Sequence, residues 1–174
     1  MFVIDEYSLL PIMSHPYSNK STPDGHLQVA NGTKLNRSTK ILVQIGSGTF
    51  GRVYKCYYRR VPAAIKIIKN IRKYIDAAQH EIRILNHISG RAGCIEMIDT
   101  FTYNTHPCLL FPLLSISVYD FLKTNNFRPF PIEQIRHFAQ QIGQALAFLH
   151  SENIIHTDLK PGKTIGWEVN IANK

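Results

Sequence analysis

The run ILVQIGSGTFGRVYKCYY, residues 41–58, decides the fold. Apolar and polar residues alternate on both sides of a glycine-rich centre, the period of two that a half-buried strand requires. The pattern predicts two strands joined through Gly46-Ser47-Gly48-Thr49-Phe50-Gly51, with Val53 completing GxGxxGxV. A GxGxxG run also occurs in dinucleotide folds, but there the glycines open a helix. Here RVYKCYY follows, and it is strand-like. Read alone, the run is equally a plain hairpin turn or a loop whose backbone folds over phosphates.

The next residues favour the second reading. Ala63-Ala64-Ile65-Lys66 lies on a third β-rich run, PAAIKIIKN. A lysine inside an apolar strand is costly to bury unless it is paired. A plain solvent-facing role fits the nearby Lys69 better than it fits Lys66. The run IRKYIDAAQHEIRILNHI then changes period, with Ile75, Ala78, Ile82 and Leu85 at helical spacing. Glu81 is the acidic residue well inside that helix, beside its apolar face, and so the expected partner of Lys66. Such a pair aims an ammonium at phosphate. Further on, His156-Thr157-Asp158-Leu159-Lys160-Pro161 offers Asp158 to accept the proton of a substrate hydroxyl and Lys160 to stabilise charge on the transferred phosphoryl group. Each motif is weak singly; four in this order and spacing are strong.

The rest of the chain is read around these motifs. IEMIDTFTYN and PCLLFPLL predict two more strands, giving five strands with one helix between the third and fourth. SVYDFLKTN predicts a short helix and PIEQIRHFAQQIGQALAFLHSEN a long one, with Pro131 suited to its first turn. The long helix carries Ile135, Phe138, Ile142, Ala145, Leu146 and Leu149 as a wide apolar stripe. The fold class is therefore α+β. Residues 1–40, rich in Ser, Pro, Asn, Gly and Thr, are expected to be a mostly disordered leader. The remaining expected divisions are 41–115, a strand-rich lobe; 116–161, the start of a helical one; and 162–174, a tail.

Composition excludes several classes. Of the 174 residues 44% are hydrophobic and 18% charged, the balance of a globular protein with a core. The net charge of +8 invites an acidic partner, yet no Lys/Arg block exceeds two residues, so a basic surface is expected rather than direct nucleic-acid binding. Cys56, Cys94 and Cys108 are odd in number and include no CxxC pair, against both a disulfide framework and a zinc site and in favour of a reducing compartment. Asp5 and Glu6 stand where a signal peptide carries positive charge, and no run approaches the ~20 apolar residues of a membrane span.

Over residues 41–161 the chain resembles the eukaryotic protein kinases, and within them the LAMMER (CDC-like) dual-specificity kinases. GHL (25–27), AIKIIKN (64–70), FLKTNNFRPFPIEQIRHFAQQI (121–142), FLHSENIIHTDLKP (148–161) and above all HTDLKP carry the likeness. It implies an N-lobe of a five-stranded antiparallel sheet with one helix, followed by the first helices of an incomplete C-lobe. It implies ATP and magnesium as cofactors, and transfer of the γ-phosphate to Ser/Thr and also Tyr hydroxyls. By the same likeness, Phe111 is the gatekeeper behind the adenine and Pro112 to Leu114 the hinge. The Pro112 carbonyl and Leu114 N–H would bond adenine, and Ile45, Val53 and Ala64 would line its slot. Family members phosphorylate Ser/Arg-rich splicing factors and are nuclear or nucleocytoplasmic. Thr157 replaces the usual Arg, which removes the charged fork that reads an activation-loop phosphate.

The likeness stops at Pro161. Gly162 stands for Glu, Lys163 for the Asn that ligates the second magnesium, and GKTIGWEVNIANK holds no DFG triplet. No metal ligand is therefore assigned. The expectation is an incomplete kinase chain, inactive alone and with an uncovered apolar stripe on its long helix. It arises either as a real short isoform or by intron read-through, since Gly-Lys can be encoded by GGT-AAG. The alternative function is a non-catalytic regulator that binds nucleotide or a partner. Substrate identity and oligomeric state are silent in the sequence.

Overall fold

The computed structural model describes residues 21–163, which fall into two compact units. One comprises residues 21–89 and 96–113, the other 90–95 and 114–163. The first is built on an antiparallel sheet of β1 (Thr39–Ser47), β2 (Gly51–Tyr58), β3 (Val61–Ile68), β4 (Asp99–Tyr103) and β5 (His106–Pro112), in the order β1-β2-β3-β5-β4. Helix α1 (Arg72–Ile88) joins β3 to the segment that leads into β4. The five expected strands and their helix are all present, and β4 is shorter than IEMIDTFTYN suggests because it begins only at Asp99. The β2–β3 turn consists of Arg59 and Arg60, both with positive φ.

The sheet is apolar on both faces. Tyr54, Cys56, Ala63, Ile65, Ile67, Cys108 and Leu110 pack with Ile41 on one side. Side chains alternate along a strand, so Val53, Ala64, Lys66, Leu109 and Phe111 project from the other. Helix α1 covers this second side through Ala78, Leu85 and Ile88, all buried.

The first side is covered by residues expected to lie in a disordered leader, and that expectation is corrected for 21–40. Leu27, Val29 and Leu35 join the core cluster, Leu27 at 2% exposure. Polar anchors fix the segment. The Thr22 hydroxyl donates to the His26 carbonyl and accepts from its amide. Gly25, at φ +84°, accepts the Asn70 amide at 2.9 Å through its carbonyl. Lys34 bridges to Lys40, and Asn36 Oδ1 accepts the amides of Ser38 and Thr39. The physical reason is burial: three large apolar side chains against an otherwise bare sheet face outweigh a polar composition. Residues 1–20 of the expected leader, and the tail beyond 163, lie outside the described residues.

The second unit holds α2 (Val118–Thr124) and α3 (Ile132–Ser151). Ser117 caps α2, its Oγ accepting the Asp120 amide at 3.0 Å. Pro131, expected in the first turn of α3, is instead its N-cap residue. Phe130 stacks on Phe121 (5.3 Å) and meets Phe138 edge-on (5.2 Å), tying α2 to α3. A short 3-10 turn, Arg91–Gly93, is pinned to α3 by Arg91, whose Nη2 donates to Glu152 Oε1 at 2.9 Å while its guanidinium lies over Phe148. Of the expected stripe on α3, Leu149 is buried, Phe138, Ile142, Ala145 and Leu146 are half-buried, and Ile135 is 46% exposed. No described helix is long and apolar enough to cross a membrane.

Candidate active site

Lys66 is placed by strand register. It stands opposite Val53 on β2 and Leu109 on β5, in the middle of the face that α1 covers. Its Nζ donates to both carboxylate oxygens of Glu81, at 2.8 and 2.9 Å. The two side chains are 24% and 18% exposed, enclosed enough for the pair to be fixed and open enough for the ammonium to face a ligand. Glu81 reaches it because α1 sets its apolar stripe on the sheet with residue 81 at the stripe's edge, as the helical spacing predicts.

The glycine-rich turn is tight. Gly48 N–H donates to the Gly51 carbonyl at 2.9 Å, and β1 is irregular between Gln44 and Gly46, so that Ile45 bulges out of register. Gly46 pairs with Val53 and Ser47 with Arg52. Ser47, Thr49 and Phe50 are exposed, and Phe50 rests edge-on against Tyr74 of α1. The Phe50 carbonyl accepts the Lys69 amide, stitching the turn to the end of β3.

Residues expected around adenine share the Lys66 face. Ala64 stands opposite Phe111, and both are buried, as is Val53. Ile45 is half-buried. Pro112 ends β5, and Leu114, exposed, belongs to the second unit.

In that second unit the segment after α3 carries the remaining candidates. Ile154 N–H returns to the Leu149 carbonyl. Thr157 adopts φ +60°, unusual for a β-branched residue, and the Asp158 amide folds back to the His156 carbonyl at 2.8 Å. Lys160 Nζ lies 3.8 Å from Asp158 Oδ1, and both side chains are about half exposed. The chain thus brings Asp158 and Lys160 together in one unit and Lys66, Glu81 and the glycine turn together in the other.

Sequence reasoning missed the residues that support the strand beneath Lys66. His106, fully buried, uses Nδ1–H to donate to the Ile68 carbonyl at 2.7 Å, which leaves Nε2 to accept from Ser21 Oγ at 2.8 Å. Burial lowers its pKa, keeping this neutral tautomer. His26 is also buried and its pKa is pushed down to about 4, by desolvation first and by Arg52 and Lys69 next. The GHL triplet was the available signal.

Comparison with known proteins gives the same answer as the geometry. The protein kinase domain model matches residues 39–164. This chain belongs to the protein kinase family. The kinase chain is 46% identical over 146 residues to the human dual specificity protein kinase CLK2, covering 79% of this chain and 29% of that protein. It is 44% identical over 145 residues to the Drosophila melanogaster serine/threonine-protein kinase Doa, covering 79% and 17%. The Arabidopsis thaliana serine/threonine-protein kinase AFC1 is 37% identical over 161 residues, covering 89% and 34%. The subfamily likeness of the sequence is thus upheld, and the chain spans about a third or less of the length of these relatives. The kinase family uses ATP and magnesium. Among the described residues no group of three His, Cys, Asp or Glu comes together that could hold a metal ion, and Lys163 stands five residues after Asp158.

Proposed function

We propose that this kinase chain grips ATP and belongs to an enzyme that transfers the γ-phosphate to protein hydroxyls, on Ser/Thr and also on Tyr. The observation that carries the reading is the two-pronged contact of Lys66 with Glu81 on the face shared by Val53, Ala64 and Phe111. In this reading Lys66 holds the α- and β-phosphates, and the amides of residues 46–51 cover them. Adenine lies against Ile45, Val53, Ala64 and Phe111 and bonds the Pro112 carbonyl and Leu114 amide. Asp158 takes the proton of the incoming hydroxyl as its oxygen bonds to the γ-phosphorus and ADP leaves, while Lys160 balances charge. Ser/Arg-rich splicing factors are the proposed substrates and the nucleus, or nucleus and cytoplasm, the proposed location, both by likeness to the CDC-like kinases.

Lys163 favours a second reading, in which a polypeptide of these 174 residues binds nucleotide without transferring phosphate and serves as a regulator. A cation at that position repels the magnesium its counterpart would hold. One experiment addresses both. ATP binding by the purified chain is titrated with and without magnesium, alongside phosphotransfer to a Ser/Arg-repeat peptide, for the natural sequence and for Lys66→Met. Binding at least about tenfold weaker in Lys66→Met supports the nucleotide site. Equal binding by the variant refutes it. Phosphotransfer by the natural chain removes the second reading.

A further inference from the structure

The end of the β1–β2 hairpin opposite the glycine turn holds a recess of about 510 Å³ to which the reading above gives no role. Thr39 pairs with Tyr58 at this end and Ser47 with Arg52 at the other, so the strands separate recess and turn by roughly 25 Å. Lys34, Arg37, Lys40, Arg59 and Arg60 line the recess with Tyr57, and no carboxylate does. Among the described residues none of these five cations sits in an ion pair. Arg59 lies over the Tyr58 ring at 5.1 Å, but like charges around one hollow repel each other and no described carboxylate pairs with any of the five.

Two features show that the arrangement is built. The Lys34–Lys40 loop is pre-set: Leu35 is buried beneath it, Asn36 Oδ1 accepts two of its amides, and the Arg59 amide donates to the Ser38 carbonyl at 2.8 Å. The hairpin turn carries a conformational cost. Arg59 (φ +49°) and Arg60 (φ +69°) fill both central positions of a two-residue turn between β2 and β3, where Asn-Gly is favoured. Left-handed backbone disfavours such side chains, and strain retained at an exposed turn points to a use for the residues that bear it.

We propose that this recess binds a phosphoserine- or phosphothreonine-bearing segment of another protein. Guanidinium forks and ammonium groups lining one recess match a phosphomonoester dianion. The hollow has room for one phosphorylated side chain and its neighbours. A nucleic acid would call for a stripe of cations interleaved with several stacking aromatics. Here the cations surround a single hollow with one ring, Tyr57, 42% exposed.

The test measures fluorescence anisotropy of a labelled short peptide carrying one phosphoserine, with the full 174-residue chain. The comparison probes are the unphosphorylated twin, inorganic phosphate and a single-stranded RNA oligonucleotide. Arg59→Asn combined with Arg60→Gly installs the favoured turn pair, so the fold is kept or strengthened while two guanidinium groups go. Arg37→Ala with Lys40→Ala removes charge away from the turn. The phosphopeptide is expected to bind at least about tenfold more tightly than its twin, and each double variant to lose at least about tenfold. The Arg59/Arg60 variant is expected to melt at a higher temperature and to bind ATP unchanged. Equal affinity for the twin, or unchanged affinity in both variants, overturns the proposal. Inorganic phosphate binding as tightly as the phosphopeptide reduces the recess to an anion hole and overturns it too. RNA binding more tightly than the phosphopeptide, and lost in the same variants, assigns the recess to nucleic acid instead.

Discussion

At Gly51 a single methyl group decides whether β2 can approach β3. A Cβ built there would stand 2.2 Å from the Ile67 carbonyl oxygen and 3.0 Å from the Ile68 Cα, both backbone atoms that cannot step aside. Gly51→Ala is therefore expected to destabilise the first unit by about 2 kcal/mol or more, measured by urea denaturation. The three thiols are buried as well, Cys56 and Cys108 on strands and Cys94 at the end of the 3-10 turn. Burial pushes Cys56 up to about 11 and Cys108 up to about 12, and raises Cys94 as well. Since the thiolate is the nucleophile, iodoacetamide at mildly alkaline pH is expected to leave all three unmodified in the native chain and to label them on denaturation; mass spectrometry reads the difference. Lys66 and Glu81 were legible in the sequence because a charged residue in an apolar strand needs a partner, and helical spacing offered one. The strained Thr157 was not legible, because a left-handed residue other than glycine leaves no mark in composition.

At the scale of elements, the sheet and its helix followed from periodicity, and the segment 21–40 did not. Its Ser, Asn and Gly content describes the turns of the segment, whereas its structure is set by three side chains that those turns carry to the sheet. A signal was nevertheless present. AAIKII and CLLF are nearly continuous apolar runs, the pattern of strands covered on both faces. The one helix of the strand-rich region covers one face, so a second cover was required from elsewhere in the chain. Leu27→Ala tests the point: a disordered leader would tolerate it, while the packed segment is expected to lose about 2–4 kcal/mol of stability, read as a lowered urea midpoint.

At the scale of the whole molecule, the two buried histidines make stability depend on pH. His26 in the folded chain protonates near pH 4, against an ordinary value of 6.5. Above 6.5 the ring is neutral in folded and unfolded chains alike and contributes nothing. As pH falls below 6.5 the unfolded chain takes up a proton that the folded one refuses, and stability drops until the folded ring also protonates near 4. His106 acts in the same direction. The groups facing His26 are Arg52, Lys69, His106 and Asp24. Only Asp24 favours the proton, and its own pKa is lowered, chiefly by the bond from Thr22. Between pH 7 and 5 the His26 contribution is expected to remove about 2 kcal/mol, and His26→Gln to flatten the profile by that amount in urea denaturation series.

The covered sheet face also bears on where this gene can be cut. The match to the protein kinase domain model starts at residue 39, whereas the packed interior includes Leu27 and its polar fastening Ser21. A fragment begun at residue 39 would keep the glycine turn, Lys66, Glu81 and Asp158 and yet expose Ile41, Cys56, Ile65 and Leu110 to water. Such a product is expected to self-associate through that face, whereas one begun upstream of Ser21 keeps the face closed. For this chain, the edge of the matched domain model and the edge drawn by packing are different places.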